Sequence, residues 1–385
     1  MIKIFDLFAG IGGFRNASEK IFKKNKINFE TAGWSEIDKY CQKTYITNYN
    51  AKTNYFIDDI KKITAPDKNY CNLKNYNSKK KSQYIKENLP KFDFLMAGFP
   101  CQSFSSMGKQ KGLDDERGAL FFDISSILHA IKPKYFLLEN VKRLLTIDNK
   151  KTFNLIISTI QSEGYDVSWW VLDSKDYGVP QTRRRIFIYG SLKINKENYP
   201  LDPPKISKKI LTTKSILEKK VDKKYILSEK ILKTILKHGT GGYYSKSEID
   251  LEIARPLTRT MVKMHRANQD NYYSNKFILG EKKLKWIRKL TPLEALRLQG
   301  FAMSMKLEIL DEFKVAIIGI TKEELAKYGY EKGDTDMLPN LCLSIKGMKA
   351  AIVFTERDGI MKISFRSKGK ENPVNILASE NFNGG

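Results

Sequence analysis

The chain predicts an α/β fold, a parallel sheet with helices on both faces. Three observations carry this. Continuous apolar runs at 3–8, 31–36, 92–97, 135–139 and 185–189 have the length of strands buried on both faces. Segments of helical period at 14–22, 39–48, 120–131 and 152–163 fall between them. A glycine-rich turn directly follows the first run. In open sheets of this kind ligands bind beyond the carboxyl ends of the strands, and the polar motifs of this chain sit there.

The first strand leads into Asp6-Leu7-Phe8-Ala9-Gly10-Ile11-Gly12-Gly13-Phe14, a strand, a turn and the start of a helix. Glycines let the backbone approach a ligand closely, and a helix N-terminus favours an anionic group such as a carboxylate. Glu36 ends the second strand, where a carboxylate can take a ribose hydroxyl, and Asp59 ends the third, where an adenine amino group can be met. Either carboxylate, taken alone, is equally a solvated strand-end group.

The run at 92–97 opens into Gly98-Phe99-Pro100-Cys101-Gln102-Ser103-Phe104-Ser105. A lone cysteine is most often a small buried hydrophobe; one just past a strand end, after proline and before polar residues, suits an exposed thiol. None of His129, His238 and His265 has a context that suggests the paired base of a cysteine protease. Glu139-Asn140-Val141 ends the neighbouring strand, so thiol and carboxyl can converge on one pocket. The segment 106–118, with glycines at 108, 112 and 118, is a mobile lid or a surface loop.

After Gly190 the pattern changes. Pro200, Pro203 and Pro204 mark a break, and Lys-rich, weakly periodic sequence runs to about 285, with a turn at Gly239, Gly241 and Gly242. More than half of the net charge of +25 falls between Ser191 and Leu290. This points to a polyanionic partner, although a composition rich in Lys, Asn and Ile accounts for part of it. A helix is predicted over 288–300, with Thr291 as cap, Pro292 in first position and Glu294 three residues after the cap. The expected division is 1–190, 191–285, a return to the first domain at 286–302, and a tail at 303–385.

Four cysteines without C-x-x-C spacing and three histidines argue against a zinc site or disulfide framework and for a reducing compartment. No run of 18 apolar residues and no signal-peptide core occur, so no membrane contact and a cytoplasmic location are expected.

The segments 6–14, 98–105 and 139–141, then Gln181-Thr182-Arg183-Arg184-Arg185, then 288–301, resemble in this order the motif series of the cytosine-5 DNA methyltransferases. The resemblance covers residues 1 to about 302. It implies the S-adenosylmethionine-dependent methyltransferase fold, a Rossmann-like mixed sheet with a smaller target-recognition domain at about 191–285. It implies methyl transfer from S-adenosylmethionine to carbon 5 of a cytosine flipped out of double-stranded DNA. Cys101 would be the nucleophile, Glu139 the acid at ring nitrogen 3, and Arg185 the group that holds base and carboxylate, with Arg183 helping nearby at a phosphate. Phe8, Gly10, Gly12, Glu36, Ile37, Asp59, Pro100 and Leu120 match the family's cofactor contacts. The family closes the 106–118 loop on the DNA, acts as a monomer without a metal, and often has a cognate restriction endonuclease in the cell. Within the basic segment, Arg255-Pro256-Leu257-Thr258 stands where the family has a Thr-Leu pair; Pro256 replaces the threonine.

The resemblance breaks at the end. A Gly-Asn-Ser-Val segment opening a helix should follow 288–301 and complete the cofactor pocket, and it is not recognisable. Instead Asp334-Thr335-Asp336, Pro339-Asn340, Ile363-Ser364-Phe365-Arg366-Ser367-Lys368-Gly369 and Asn381-Phe382-Asn383-Gly384-Gly385 resemble the substrate-binding domain of DHH-type phosphoesterases, an extra α/β tail. No Asp-His-His motif occurs. The chain is therefore expected to be a fusion with weakened cofactor binding. The alternatives are a degenerate, low-activity DNA-binding protein and a cytosine-5 RNA methyltransferase.

Overall fold

A computed structural model describes residues 1–49, 51, 54–66, 77–100, 119–193, 202–206, 211–237, 239–240, 243–244, 247–258, 261, 265–266, 268–300, 306–310, 313–320, 322, 325, 338–344, 348–357, 360–369, 376 and 379–380. The chain divides into two compact units, Met1–Leu172 with Arg184–Pro204, and Asp173–Arg183 with Lys205–Gly385.

In the first unit β1 (Ile2–Leu7), β2 (Phe29–Ser35), β3 (Tyr55–Ile57), β4 (Phe94–Gly98), β5 (Tyr135–Val141), β6 (Tyr165–Asp173) and β7 (Arg184–Leu192) form one sheet of order β3-β2-β1-β4-β5-β7-β6. Its helices are α1 (Gly13–Lys24), α2 (Lys39–Tyr49), α3 (Lys61–Thr64), α4 (Lys79–Asn88), α5 (Ala119–Ile131) and α6 (Lys151–Ser162). The core follows from the apolar runs. Phe5 and Leu7 of β1, Leu95 and Ala97 of β4, Phe136 and Leu138 of β5, and Ile186 and Ile188 of β7 share one cluster with Phe121, Ile124 and Leu128 of α5 and Phe153, Ile156 and Ile160 of α6.

Strand-helix alternation alone predicts a parallel sheet; the structure has the mixed sheet that the resemblance implies. β1 to β5 are parallel, but β7 runs antiparallel to β5, with Val141 opposite Arg185 and Glu139 opposite Phe187. Between β6 and β7 lies a short turn over Ser174–Tyr177 and a loop rather than a crossover helix. A direct return of this kind places the next strand antiparallel. β6 escaped the sequence reading because it lies at the sheet edge, where polar residues interrupt the apolar run. α4 escaped because its face is rich in lysine; Ser78 caps it by accepting from the Lys81 amide at 3.3 Å.

The second unit is built from shorter pieces. They are α7 (Glu229–Leu236), β8 (Gly239–Thr240), β9 (Tyr243–Tyr244), β10 (Tyr272–Ser274), α8 (Asn275–Leu279), β11 (Ile287–Lys289) and α9 (Pro292–Arg297). The helix predicted over 288–300 is shorter: Arg288 lies on β11, paired with Tyr273 of β10, and the helix proper starts at Pro292. The expected cap is present, a reciprocal box between Thr291 and Glu294. Glu294 also receives both terminal nitrogens of Arg288, at 2.6 and 2.8 Å, in an ion pair with no solvent exposure. Ile216 and Glu218 bind the same network through backbone groups, Ile216 from Arg297 at 2.8 Å and Glu218 from Arg288 at 3.0 Å. The unit ends in its own sheet, β12 (Lys306–Leu310), β13 (Val315–Ile320), β14 (Ala350–Arg357) and β15 (Ile360–Ser367), with α10 (Leu338–Ser344) against it. Leu293 of α9 joins the core of this tail with Ile318, Leu338, Leu343 and Val353.

Candidate active site

The carboxyl ends of β1, β2, β4 and β5 bring most of the expected residues of the first unit into one band of the sheet, because parallel register sets these ends side by side. At the end of β1, Phe8 takes φ 55°, Gly10 56° and Gly12 89°, the left-handed backbone of a tight turn. Phe8 packs on the main core. A Cβ added to Gly10 would meet no atom within 4 Å, so that side of the turn is open. The Gly10 amide donates to Glu36 Oε2 at 2.8 Å, and the Asp38 amide donates to Oε1 at 2.7 Å. Glu36 thus ties the end of β2 to the turn and to the start of α2. Ile37, between them, is 69% exposed, an apolar side chain left in the open at a strand end. Asp59 follows β3, and its Oδ1 accepts from the Lys61 amide at 2.9 Å, which opens α3. Leu120 is half-buried in the first turn of α5.

The second group lies where β4 meets β5. Gly98 is in register with Glu139, and a Cβ on Gly98 would lie 3.6 Å from Glu139 Oε2. Arg185 Nε stands 2.9 Å from Glu139 Oε1. Arg185 pairs with Val141, two residues beyond Glu139, so the two side chains are diagonal neighbours on one face. Pro100 is exposed at the end of the described segment. Cys101 and the 106–118 loop lie outside the described residues. Arg183 is exposed and belongs to the second unit, where its amide donates to Asp173 Oδ1 at 2.9 Å. Ser174 Oγ donates to the Gln181 carbonyl at 2.6 Å in the same loop.

Some residues here were not singled out from sequence. Asn140 Nδ2 donates to the Phe99 carbonyl at 3.2 Å, which ties β5 to the segment leading to Cys101. Behind the glycine turn lies a polar layer of Asp6, Arg15, Tyr45 and Tyr49. Asp6 is fully buried and neither carboxyl oxygen makes a hydrogen bond of good geometry. Burial pushes its pKa up to about 8, an effect that the Arg15 charge and the nearby Tyr45 hydroxyl only partly offset. An acidic residue inside an apolar strand, and tyrosines four apart on α2, were the available sequence signals.

The sequence profile of the C-5 cytosine-specific DNA methylases matches residues 2–320. The chain belongs to this family. The methylase is similar to the Type II methyltransferase M.NlaX of Neisseria lactamica, 36% identical over 81% of this chain and 89% of that protein. M.DsaV of Dactylococcopsis salina is 33% identical over 80% and 79%, and M.HpaII of Haemophilus parainfluenzae 37% over 80% and 81%. Among solved structures, a DNMT2 variant from Spodoptera frugiperda aligns with TM-score 0.56 at 20% identity, covering 77% of this chain and 88% of that one. The methyltransferase EhMeth of Entamoeba histolytica aligns with TM-score 0.54 at 19% identity, covering 79% and 87%. At these identities the likeness is one of fold. The methylase is thus a cytosine-5 DNA methyltransferase on the mixed-sheet methyltransferase scaffold. Among the described residues no helix is long and apolar enough to cross a membrane.

Proposed function

We propose that this methylase moves a methyl group from S-adenosylmethionine to carbon 5 of a cytosine flipped out of duplex DNA, with Cys101 as nucleophile and Glu139 as acid. The observation that carries the reading is the placement of Glu139 beside Gly98, three residues before Cys101, with Arg185 at 2.9 Å.

The residues at the ends of β1 and β2 suit the cofactor. Gly10 leaves open space, Glu36 offers a carboxylate with lone pairs to spare for ribose hydroxyls, and Ile37 offers an exposed apolar surface. Phe8, Gly12, Asp59, Pro100 and Leu120 complete the proposed contacts. When bound, S-adenosylmethionine supplies an electrophilic methyl group.

Carbon 5 of cytosine is too weak a nucleophile unaided. The Cys101 thiolate adds to carbon 6 and turns the ring into an enamine with electron density on carbon 5. Glu139, in its acid form, gives its proton to nitrogen 3, and Arg185 stabilises the carboxylate that remains. Once carbon 5 is methylated, its proton passes to solvent, nitrogen 3 returns its proton to Glu139, and departure of Cys101 as thiolate restores the aromatic ring. Arg183 is assigned to a neighbouring phosphate, and the basic segment 191–285 to duplex recognition.

The similarity to Type II methyltransferases supports a place in a restriction-modification system, beside an endonuclease of the same specificity. Bisulfite sequencing of DNA from cells that express the methylase tests the reading. Protection of one short motif is expected, lost with Cys101→Ser. Protection of no DNA cytosine, with protected cytosines in bisulfite-treated RNA from the same cells instead, would overturn it.

The tail at 303–385 is proposed to derive from a DHH-type phosphoesterase domain, in place of the family's closing segment. A separate four-stranded sheet, whose core takes only Leu293 from before residue 303 among the described residues, supports this. Replacing 303–385 with a family tail that carries Gly-Asn-Ser-Val should then tighten cofactor binding measured by calorimetry. Equal affinity would show that the present tail already supplies the support.

A further inference from the structure

We propose that Tyr49 is a positioning residue of the cofactor site, the second of two anchors by which α2 sets the shape of the glycine turn. The inference rests on the reading that this turn holds S-adenosylmethionine.

Both ends of α2 reach the turn. At its start, Glu36 receives the Gly10 amide at 2.8 Å and the Asp38 amide at 2.7 Å. Asp38 in turn caps the helix, its Oδ1 accepting from Tyr40 at 2.8 Å and Cys41 at 3.1 Å. At its end, the Tyr49 hydroxyl donates to the Gly12 carbonyl at 2.5 Å. That carbonyl is the one that starts α1, since it also accepts from the Asn16 amide at 2.9 Å. One anchor therefore holds an amide of the turn and the other a carbonyl two residues on. A turn held at both its ends has little freedom to change shape.

The ring of Tyr49 does as much as its hydroxyl. It lies where a side chain on residue 12 would have to be: a Cβ there would fall 2.2 Å from Cε2. Gly12 is thus required twice, by φ 89° and by the ring against it. The ring itself is held in place. Arg15 lies over one face at 4.4 Å, and Tyr45 packs at 4.8 Å on Tyr49 and at 4.2 Å on the buried Trp34. Arg15 is fixed by Glu19 at 2.7 Å. This layer sits against the turn, which leaves the open side at Gly10 for a ligand. Tyr49 need not touch the cofactor to act; it holds the backbone that does.

The test uses the full chain and S-adenosylhomocysteine in calorimetry, with wild type, Tyr49→Phe, Tyr49→Ala and Glu36→Ala. Tyr49→Phe keeps the ring and removes one hydrogen bond, and should weaken binding on the order of 3- to 10-fold. In steady state it should raise KM for S-adenosylmethionine while kcat and KM for DNA hold near wild type, a split that general destabilisation does not produce. Tyr49→Ala should weaken binding further than Tyr49→Phe. Wild-type affinity in Tyr49→Phe, with binding lost in Glu36→Ala, would overturn the role of Tyr49 and leave the pocket standing. Wild-type affinity in Glu36→Ala would remove the pocket reading and the role of Tyr49 together.

Discussion

Glu139→Gln isolates the proposed role of Glu139 as acid from everything else that residue does. Glutamine has the same length and keeps a carbonyl oxygen within reach of Arg185 Nε, now 2.9 Å from Glu139 Oε1. The two side chains are 20% and 21% exposed, so solvent screens the pair only in part, and losing its charge should cost on the order of 1 kcal/mol of stability. The fold and the β5–β7 pairing should survive. What glutamine cannot do is give a proton to nitrogen 3 of the base. A positioned acid contributes on the order of 10²–10⁴ in rate, equivalent to about 2.7–5.5 kcal/mol of barrier. The effect on chemistry thus exceeds the effect on stability several-fold. Single-turnover transfer of tritiated methyl to duplex DNA, with enzyme in excess, reads the chemical step directly, and a denaturation curve on the same sample reads the stability. A single-turnover rate within a factor of a few of wild type would refute the assignment and make Glu139 a structural partner of Arg185. A large loss of stability with proportionate loss of rate would show that the two roles of Glu139 are not separable.

Cys101→Ser should abolish methyl transfer while DNA binding in a mobility-shift assay persists, because addition to carbon 6 needs a thiolate; near-normal turnover would exclude covalent catalysis by this residue. Asp6 should make stability depend on pH. Its folded pKa of about 8 lies above the ordinary 3.8, so the folded chain keeps a proton that the unfolded chain has lost between these values. Its contribution is fully present below pH 4 and declines as pH rises toward 8, by up to ~1.4 kcal/mol per pH unit. Urea unfolding at several pH values should show this slope in wild type and a flatter one in Asp6→Asn; identical slopes would place the ionised form in the fold. Arg288→Met should destabilise the second unit by about 3–5 kcal/mol, since it strands a fully buried Glu294; a change under 1 kcal/mol would mean that the network repacks. DNA affinity should fall steeply with salt, through lysines of the 191–285 segment that neutralise phosphates; a flat dependence would place them away from the duplex.

The first unit was more legible than the second. Strands buried on both faces announce themselves as continuous apolar runs, and the boundaries of β1, β4 and β5 follow from side chains such as Phe5, Leu95 and Leu138 that have nowhere else to go. β6 was hidden because an edge strand buries only part of its surface, and its Asp166 and Ser168 break the pattern. In the second unit short elements hold together through side-chain to backbone bonds. Asn271 grips both the amide and the carbonyl of Arg255, at 2.8 and 3.1 Å. Contacts of this kind have no period and leave no trace in a hydrophobicity pattern.

The motif residues were set by the sequence itself, because chemistry dictates their type: a thiol after proline, a carboxyl at the next strand end, glycines where the backbone must turn left-handed. The cap of α9 was equally local, since Thr291 and Glu294 need only their own spacing. The tertiary structure alone decided three other matters. The reversal of β7 puts Arg185 diagonal to Glu139, which no local rule could state, since strand direction depends on how the loop after β6 returns. The burial of Asp6 turns an ordinary aspartate into a group that keeps its proton near neutrality. The grip of Tyr49 on Gly12 joins positions 37 residues apart, and only the folding of α2 back over the turn brings them together. Local spacing fixes a residue's chemistry; its partner across the fold is chosen by packing, which acts on distances that the order of residues does not contain.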